Sequence, residues 1–416
     1  MSNPGALRAF KHRNYRILFP ANVLSNIGMW AQRIAQDWLV LELTGSAQLL
    51  GLITALQFLP SLLLSLYGGV LADRFDKRTL LIITNIGAGL GSLTLGLLVV
   101  TGVVEVWHVA LLAFVVGVFS ALDAPVRTSF NSELVGHKDI PSAISLNSAN
   151  FNAGRLIGPA ASGFLIVLFG TGLSFIINSI TYIAVVVSLL LMRKEDLFIS
   201  VKPDSSAKIM QAVRYVFSQR EILLVMIAVF FATTFGLNFQ IFMAVMATQE
   251  FGKGAAEFGI LGSVLAIGSF TGVLISARLE HLRVPKFVML GGVVFGSLLM
   301  ITAWMPTYGT FAAILPLVGA IALLMLISAN SFVQTNCEPS LRGRVMGIYL
   351  LIFMGGTPIG SPLIGWFAEN VGIREAVFLC GVIVAVSAGI IWLVLRRNPG
   401  PEPITQSLPV ITDQQN

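Results

Sequence analysis

Charged side chains are scarce in this chain. Asp, Glu, Lys and Arg supply 11% of its 416 residues, against about 25% in a soluble domain. With a mean hydropathy of +0.85, that scarcity excludes a water-soluble globule. Cysteine is scarcer still. Cys337 and Cys380 both lie in or beside apolar segments, without metal spacing, and read as small packing residues. The histidines, His12, His108, His137 and His281, fall near helix ends or in loops and form no metal-ligand pair. No nucleophile elbow or phosphate loop occurs, so the chain does not read as an enzyme. There is no nucleotide domain for an ATP-driven pump, and no repeated filter or ring of charges for a channel. No small-residue cleavage site follows the first apolar run, so the first helix reads as retained. The net charge of +6 is scattered over short loops, which argues against nucleic acid as a partner. No metal and no cofactor are expected.

What the chain has in abundance is long apolar runs. A hydrocarbon core of about 30 Å takes about 20 apolar residues per helix, and the continuous runs exclude a β-barrel, whose strands alternate. Hydrophobic helices are expected at about 15–42, 48–72, 79–102, 107–131, 142–168, 173–193, 221–248, 256–278, 286–304, 308–336, 343–368 and 373–396. The longest polar connection, 194–220, divides six helices from six. The expected organisation is therefore an N-terminal bundle over 1–193, a linker over 194–220, a C-terminal bundle over 221–397 and a disordered tail over 398–416. Within the linker, Ala207 to Ser218 reads as an amphipathic surface helix.

The basic residues count the crossings. Of the 26 Lys and Arg, Arg33 and Arg155 lie inside helices and Lys253 and Arg374 on one side; the remaining 22 all fall on the other. Positive residues stay cytoplasmic, so both termini are expected in the cytoplasm of a multi-pass inner-membrane protein. The halves are related in sequence. At an offset of 203, Gly69, Val70 and Leu71 fall on Gly272, Val273 and Leu274. At 202, Ile157, Gly158 and Gly163 fall on Ile359, Gly360 and Gly365. Parallel repeats of this kind put a binding site at their interface.

One loop breaks the apolar rhythm. "GGVLADRFDKR" places Asp73, Arg74, Asp76, Lys77 and Arg78 within six positions. It resembles the signature between helices 2 and 3 of the major facilitator superfamily, with Gly69, Leu71, Asp73, Arg74, Lys77 and Arg78 matching and Asp76 in place of a glycine. "GRLIGPAASG", with Gly154, Gly158, Pro159 and Gly163, is similar to the helix 5 signature of proton-coupled antiporters, with Ser162 replacing a glycine. The layout "LTGSAQLLGLITALQFLPSLLLSLYGGVLADR" followed by "SALDAPVRTSFNSELV" is similar to the exporter branch that includes enterobactin exporters and macrolide efflux proteins. The resemblance implies an all-α membrane protein of twelve helices in two pseudo-symmetric bundles. It also implies proton-coupled efflux of a small amphipathic molecule, a drug or other toxic compound, by a monomer in the bilayer. A siderophore or metabolite exporter of the same fold is the alternative, and a non-transporting receptor or scaffold a lesser one.

The motifs have mechanical readings. Asp73 ends helix 2, where it can accept hydrogen bonds from the start of helix 11 near Arg342 to Val345 or from Arg344. Lys77 and Arg78 are expected to meet anionic lipid heads. Gly154 and Gly158 permit close helix approach, and Pro159 can bend helix 5. In helix 1, Asn22, Asn26, Arg33, Gln36 and Asp37 share one face bordered by Met29 and Trp30. Polar residues in a spanning helix usually face a cavity or a partner. Arg33 and Asp37, four apart, can pair, and Asp37 is the first candidate for a coupled proton. Asp123 and Arg127 repeat that spacing in helix 4, with Asp123 the second candidate for the coupled proton and Arg127 able to reach Asp73 instead. Arg155 requires a carboxylate, Asp123 or Asp37. In the other half, Asn238, Asn330 and Gln334 are uncharged candidates, and by resemblance helices 1, 4, 7 and 10 line the cavity.

Overall fold

The structure, a computed structural model, describes residues 7–198, 209–278 and 284–397. The expected tail 398–416, linker residues 199–208 with Lys202 and Lys208, and also His281 and Arg283, lie outside the described residues. All twelve expected segments are helical. They are α1 (Arg13–Thr44), α2 (Ala47–Arg74), α3 (Lys77–Val100), α4 (Val106–Gly136), α5 (Lys138–Phe169), α6 (Thr171–Leu190), α8 (Arg220–Glu250), α9 (Ala255–Arg278), α10 (Pro285–Ala303), α11 (Tyr308–Asn336), α12 (Arg342–Asn370) and α13 (Ile373–Arg397). Between the halves, α7 (Ile209–Ser218) is the linker helix. It buries Ala212 and Val216, leaves Met210 and Phe217 exposed, and its Tyr215 hydroxyl accepts the Glu338 amide at 3.0 Å.

Among the described residues, eleven helices are long and apolar enough to cross a bilayer. The exception is α1. It has 32 residues, ample for a crossing, but Asn22, Asn26, Gln32, Arg33, Gln36 and Asp37 lower its apolarity. The other spans form a shell that buries those groups.

Local sequence sets the ends. Ser46 accepts the Leu49 amide at 3.2 Å to start α2, and Asp76 accepts the Thr79 amide at 2.8 Å to start α3. Gly136, at φ 66°, ψ 168°, breaks the chain between α4 and α5, a conformation that glycine reaches without a Cβ clash. One expectation needs correction. The seventh span is not one regular helix: a π-helical turn at Ala232–Gly236 and a break at Leu237–Asn238 interrupt α8. In α5 the chain stays helical through Pro159. The Pro159 ring lies against α9, where a Cβ on Gly262 would meet it at 2.8 Å.

Two antiparallel helix pairs join the bundles: α2 with α12, and α5 with α9. Glycines lie in both seams. A Cβ on Gly51 would come within 3.2 Å of the Gly365 Cα; one on Gly259 would come within 3.1 Å of the Gly163 Cα. Gly163 and Gly365 are the residues matched by the sequence repeat, so the repeat marks equivalent seams.

Candidate functional site

Asn22, Ser25 and Asn26 of α1 open onto a crevice of about 350 Å³ inside the N-terminal bundle, whereas the expected Trp30, Gln36 and Asp37 line neither it nor the pocket beside it. Asn22, Asn26 and Met29 of α1 line it with Thr84 and Asn85 of α3, Asp123 and Arg127 of α4, Asn147 and Asn150 of α5, and Tyr182 of α6. A smaller pocket continues from Met29 and Tyr182 to Arg33, Gln57 and Phe58.

Asp123 and Arg127 form the centre of the crevice. Arg127 donates through Nε to Asp123 at 2.6 Å and through Nη2 at 3.0 Å. Thr84 and Asn85 each donate to Asp123 Oδ1 at 2.9 Å, and Arg127 also donates to Asn22. The expected alternative, Arg127 with Asp73, is therefore corrected. The acid precedes the base by one turn, the favoured order on a helix, and Thr84 and Asn85 share Oδ1 with Arg127 Nη2 as further donors to the carboxylate.

Arg33 and Asp37 stand in the opposite order and do not pair. Arg33 instead stacks on Trp30 and Phe58, its guanidinium carbon 4.8 and 5.1 Å from the ring centres. Such contacts are worth about 2 kcal/mol when desolvated. Asp37 is 3% exposed. Asp37 Oδ2, Arg33 Nε and Trp30 Nε1 are buried without hydrogen-bond partners. Gln36 donates to Gln57 at 3.3 Å. Arg155 is a further correction: no carboxylate meets it. It donates to Ser269 of α9 at 3.1 Å and lies 6.0 Å from the Trp30 ring. Two guanidinium groups thus flank one indole at the seam between bundles.

The antiporter-like motif packs here. A Cβ on Gly154 would touch Asn26, and one on Gly158 would lie 2.5 Å from the Trp30 Cβ, so both glycines let α5 press onto the polar face of α1. In the other half, Asn238 is buried and donates to its own helix at Thr234 O, 2.8 Å away. Asn330 is half-buried and Gln334 exposed. None of these three lines the crevice, whose wall is built wholly from the N-terminal bundle.

The loop after α2 also differs from expectation. Lys77 pairs with Glu133 at 2.5 Å, and Arg78 donates to the Leu189 and Leu190 carbonyls at 2.7 and 2.9 Å. Both tie α3 to helix ends of their own bundle, where basic side chains cap free carbonyls, rather than reaching outward to lipid. Gly69 lies on α2. Asp73 and Arg74 are exposed and, among the described residues, carry no ion pair or hydrogen bond.

Several functional groups escaped the sequence reading. Thr84, Asn85 and Tyr182 line the crevice. Gln32 joins a buried network, accepting from Ser92 at 2.7 Å and Asn178 at 2.5 Å. The cue was available: amide side chains deep in α3 and α6, the same cue that singled out α1.

Two bundles of spanning helices joined by close-packed seams, one bundle holding a charged crevice, define a membrane transporter of the alternating-access class. The chain belongs to the transmembrane secretion effector family of the major facilitator superfamily, whose pattern it matches over residues 4–405. It is 24% identical to the staphyloferrin A transporter of Staphylococcus aureus, over 92% of this chain and 96% of that one. It is 24% identical to the multidrug efflux pump Tap of Mycolicibacterium fortuitum, over 92% and 95%, and 22% identical to the enterobactin exporter EntS of Citrobacter koseri, over 96% of each. In fold it matches a bacterial homologue of the human lysosomal transporter Spinster, solved inward-facing and unoccupied. The TM-score is 0.76 at 14% identity, over 95% of this chain and 98% of that one.

Proposed function

We propose that this chain is a proton-coupled exporter of small amphipathic molecules in the inner membrane, with both termini in the cytoplasm. The charge bias of the loops supports that orientation. It works as a monomer in the bilayer, draws on the proton gradient rather than a cofactor, and makes no covalent change to its solute. Nucleic acid is not a partner. One observation carries the reading: on two helices of the N-terminal bundle stand a buried carboxylate, Asp37, with no ion pair among the described residues, and a half-buried one, Asp123, that lines the crevice. Asp37 exchanges the proton. Asp123 is held by Arg127, Thr84 and Asn85, which suits it to shaping the crevice. The names of the relatives support export of a toxic compound or a siderophore.

A second reading of the solute follows from Arg33 and Arg155, which have no carboxylate partner. An acidic solute, such as a siderophore or another metabolite, would meet two guanidinium groups and an indole face there. The test uses purified protein in proteoliposomes with an imposed pH gradient. The cationic dye ethidium and the acidic dye dansylglycine serve as probes. Gradient-dependent movement of either supports export. Movement of dansylglycine that fails in Arg33→Gln favours the acidic class. Movement of neither dye, or of none across a wider solute panel, contradicts the reading.

A further inference from the structure

The seam between α2 and α12 carries one carboxylate at the end of each helix. Glu369 lies in the last turn of α12. Its carboxylate accepts the Ala47 amide at 2.7 Å and the Gln48 amide at 3.4 Å, the first free N–H groups of α2. The contact crosses from one bundle to the other. Beside it, Gln249 of the C-terminal bundle donates to the Gly45 carbonyl at 3.1 Å. A helix start carries exposed amides and partial positive charge, so a carboxylate there is doubly favoured.

The opposite end of the same pair has the same parts, separated. Helices α2 and α12 run antiparallel: Ala47 meets Gly365 and Glu369, Gly51 meets Gly365, and Leu62 meets Gly355. Continuing that register places residue 73 opposite residues 343–344, the first turn of α12. In this structure the two do not meet. Asp73 is exposed and without a partner among the described residues, and a Cβ on Gly343 or Gly347 would find nothing within 4 Å. The helices are clasped at the Glu369 end and splayed at the Asp73 end, the end that carries the basic loops. The crevice is therefore open toward that end.

We propose that Glu369 is the positioning residue of the gate opposite the basic loops. It closes that gate by capping the start of α2, in alternation with Asp73, which caps the start of α12 when the molecule reverses. The two helices thus form a seesaw with one carboxylate latch at each end, of which one engages at a time. The inference rests on the alternating-access reading above. It adds Glu369, which lies outside the motif containing Asp73.

Double electron–electron resonance on the full chain in lipid nanodiscs tests it. Spin labels go on Phe75→Cys and Gly343→Cys, in a Cys337→Ser, Cys380→Ala background, across the basic end. Glu369→Ala should raise the ratio of short to long distances roughly three- to tenfold. Glu369→Gln, which keeps shape and one acceptor, should move it less in the same direction. Asp73→Asn should move it the other way, and the double variant Asp73→Asn, Glu369→Gln should return it toward the parent value. A merely structural Glu369 would not give opposed and compensating shifts. If Asp73→Asn shifts the ratio while both Glu369 variants leave it unchanged, or lengthen the distance, the latch is refuted and alternating access stands. If no variant and no imposed change of pH alters the distances, alternating access fails and takes the latch with it.

Discussion

The two bundles agree in their seams and differ in their interiors. Gly51 packs against Gly365 and Gly259 against Gly163, so closely that a Cβ on Gly51 or Gly259 would lie 3.2 or 3.1 Å from the partner's Cα. Inside, however, the N-terminal bundle holds Arg33, Asp37, Asp123, Arg127 and Arg155, while the C-terminal bundle offers Thr233, Thr234, Asn238 and Ser361, all neutral and buried. The broken helix α8 passes through that neutral cluster, and such π turns often mark functional sites. Close packing is what a rocking motion needs on both sides, so symmetry serves it. The proposed coupling needs charge, and the N-terminal bundle is the half that holds it.

The sharpest way to break this comparison is Asp37→Asn. Gradient-driven solute movement in proteoliposomes should be lost, while solute exchange without a gradient persists. Unchanged coupling would remove Asp37 from the mechanism. Asp123→Ala comes next. It strips Arg127 of its charge-assisted bonds and should cost about 2–3 kcal/mol in detergent unfolding. The corresponding neutral change, Asn238→Ala, should cost only about 1 kcal/mol; equal losses would erase the contrast between interiors. Gly51→Leu and Gly259→Leu should each destabilise by about 1–3 kcal/mol through overpacking. Here the comparison predicts similar values, and a large difference would show that the seams are not equivalent.

The smallest effect belongs to the cap of α3. Partial burial pushes the Asp76 carboxyl up, but its bonds to the Thr79 hydroxyl and amide, with Lys194 and Arg78 nearby, hold it below the usual range. A lowered value means the cap stabilises above the unfolded pKa of about 4. That contribution is lost as pH falls through the folded value. Asp76→Ala should cost about 1 kcal/mol at neutral pH, and the gap from the parent should close on acidification. A gap that stays constant with pH would contradict the assignment.

Most of the fold was legible because a bilayer demands long apolar helices and the basic loops count their crossings. The repeat in Gly163 and Gly365 even located the seams. What stayed hidden was pairing. Spacing placed Arg33 near Asp37 and Asp123 near Arg127 alike, yet only the second couple bonds, since aromatic rings compete for Arg33. Arg155 looked in need of an acid and found Ser269 in the other bundle, a partner 114 residues away in sequence. Lys77 and Arg78 looked free to meet lipid heads because Glu133 and the end of α6 are distant in the chain. Glu369 gave no signal at all: its role appears only once α12 lies beside α2. Local pattern identifies elements and candidates; three-dimensional neighbours decide which charge is spent on structure.

Thiol accessibility at one crevice position tests the central claim most directly. A single cysteine at Met29→Cys, in the Cys337→Ser, Cys380→Ala background, would be probed in oriented proteoliposomes with a membrane-impermeant maleimide added to either side. Labelling should come from the side of the basic loops at rest, and should shift to the other side when that side is acidified. Labelling from both sides together, or from one side whatever the gradient, would contradict a crevice that faces the two compartments in turn.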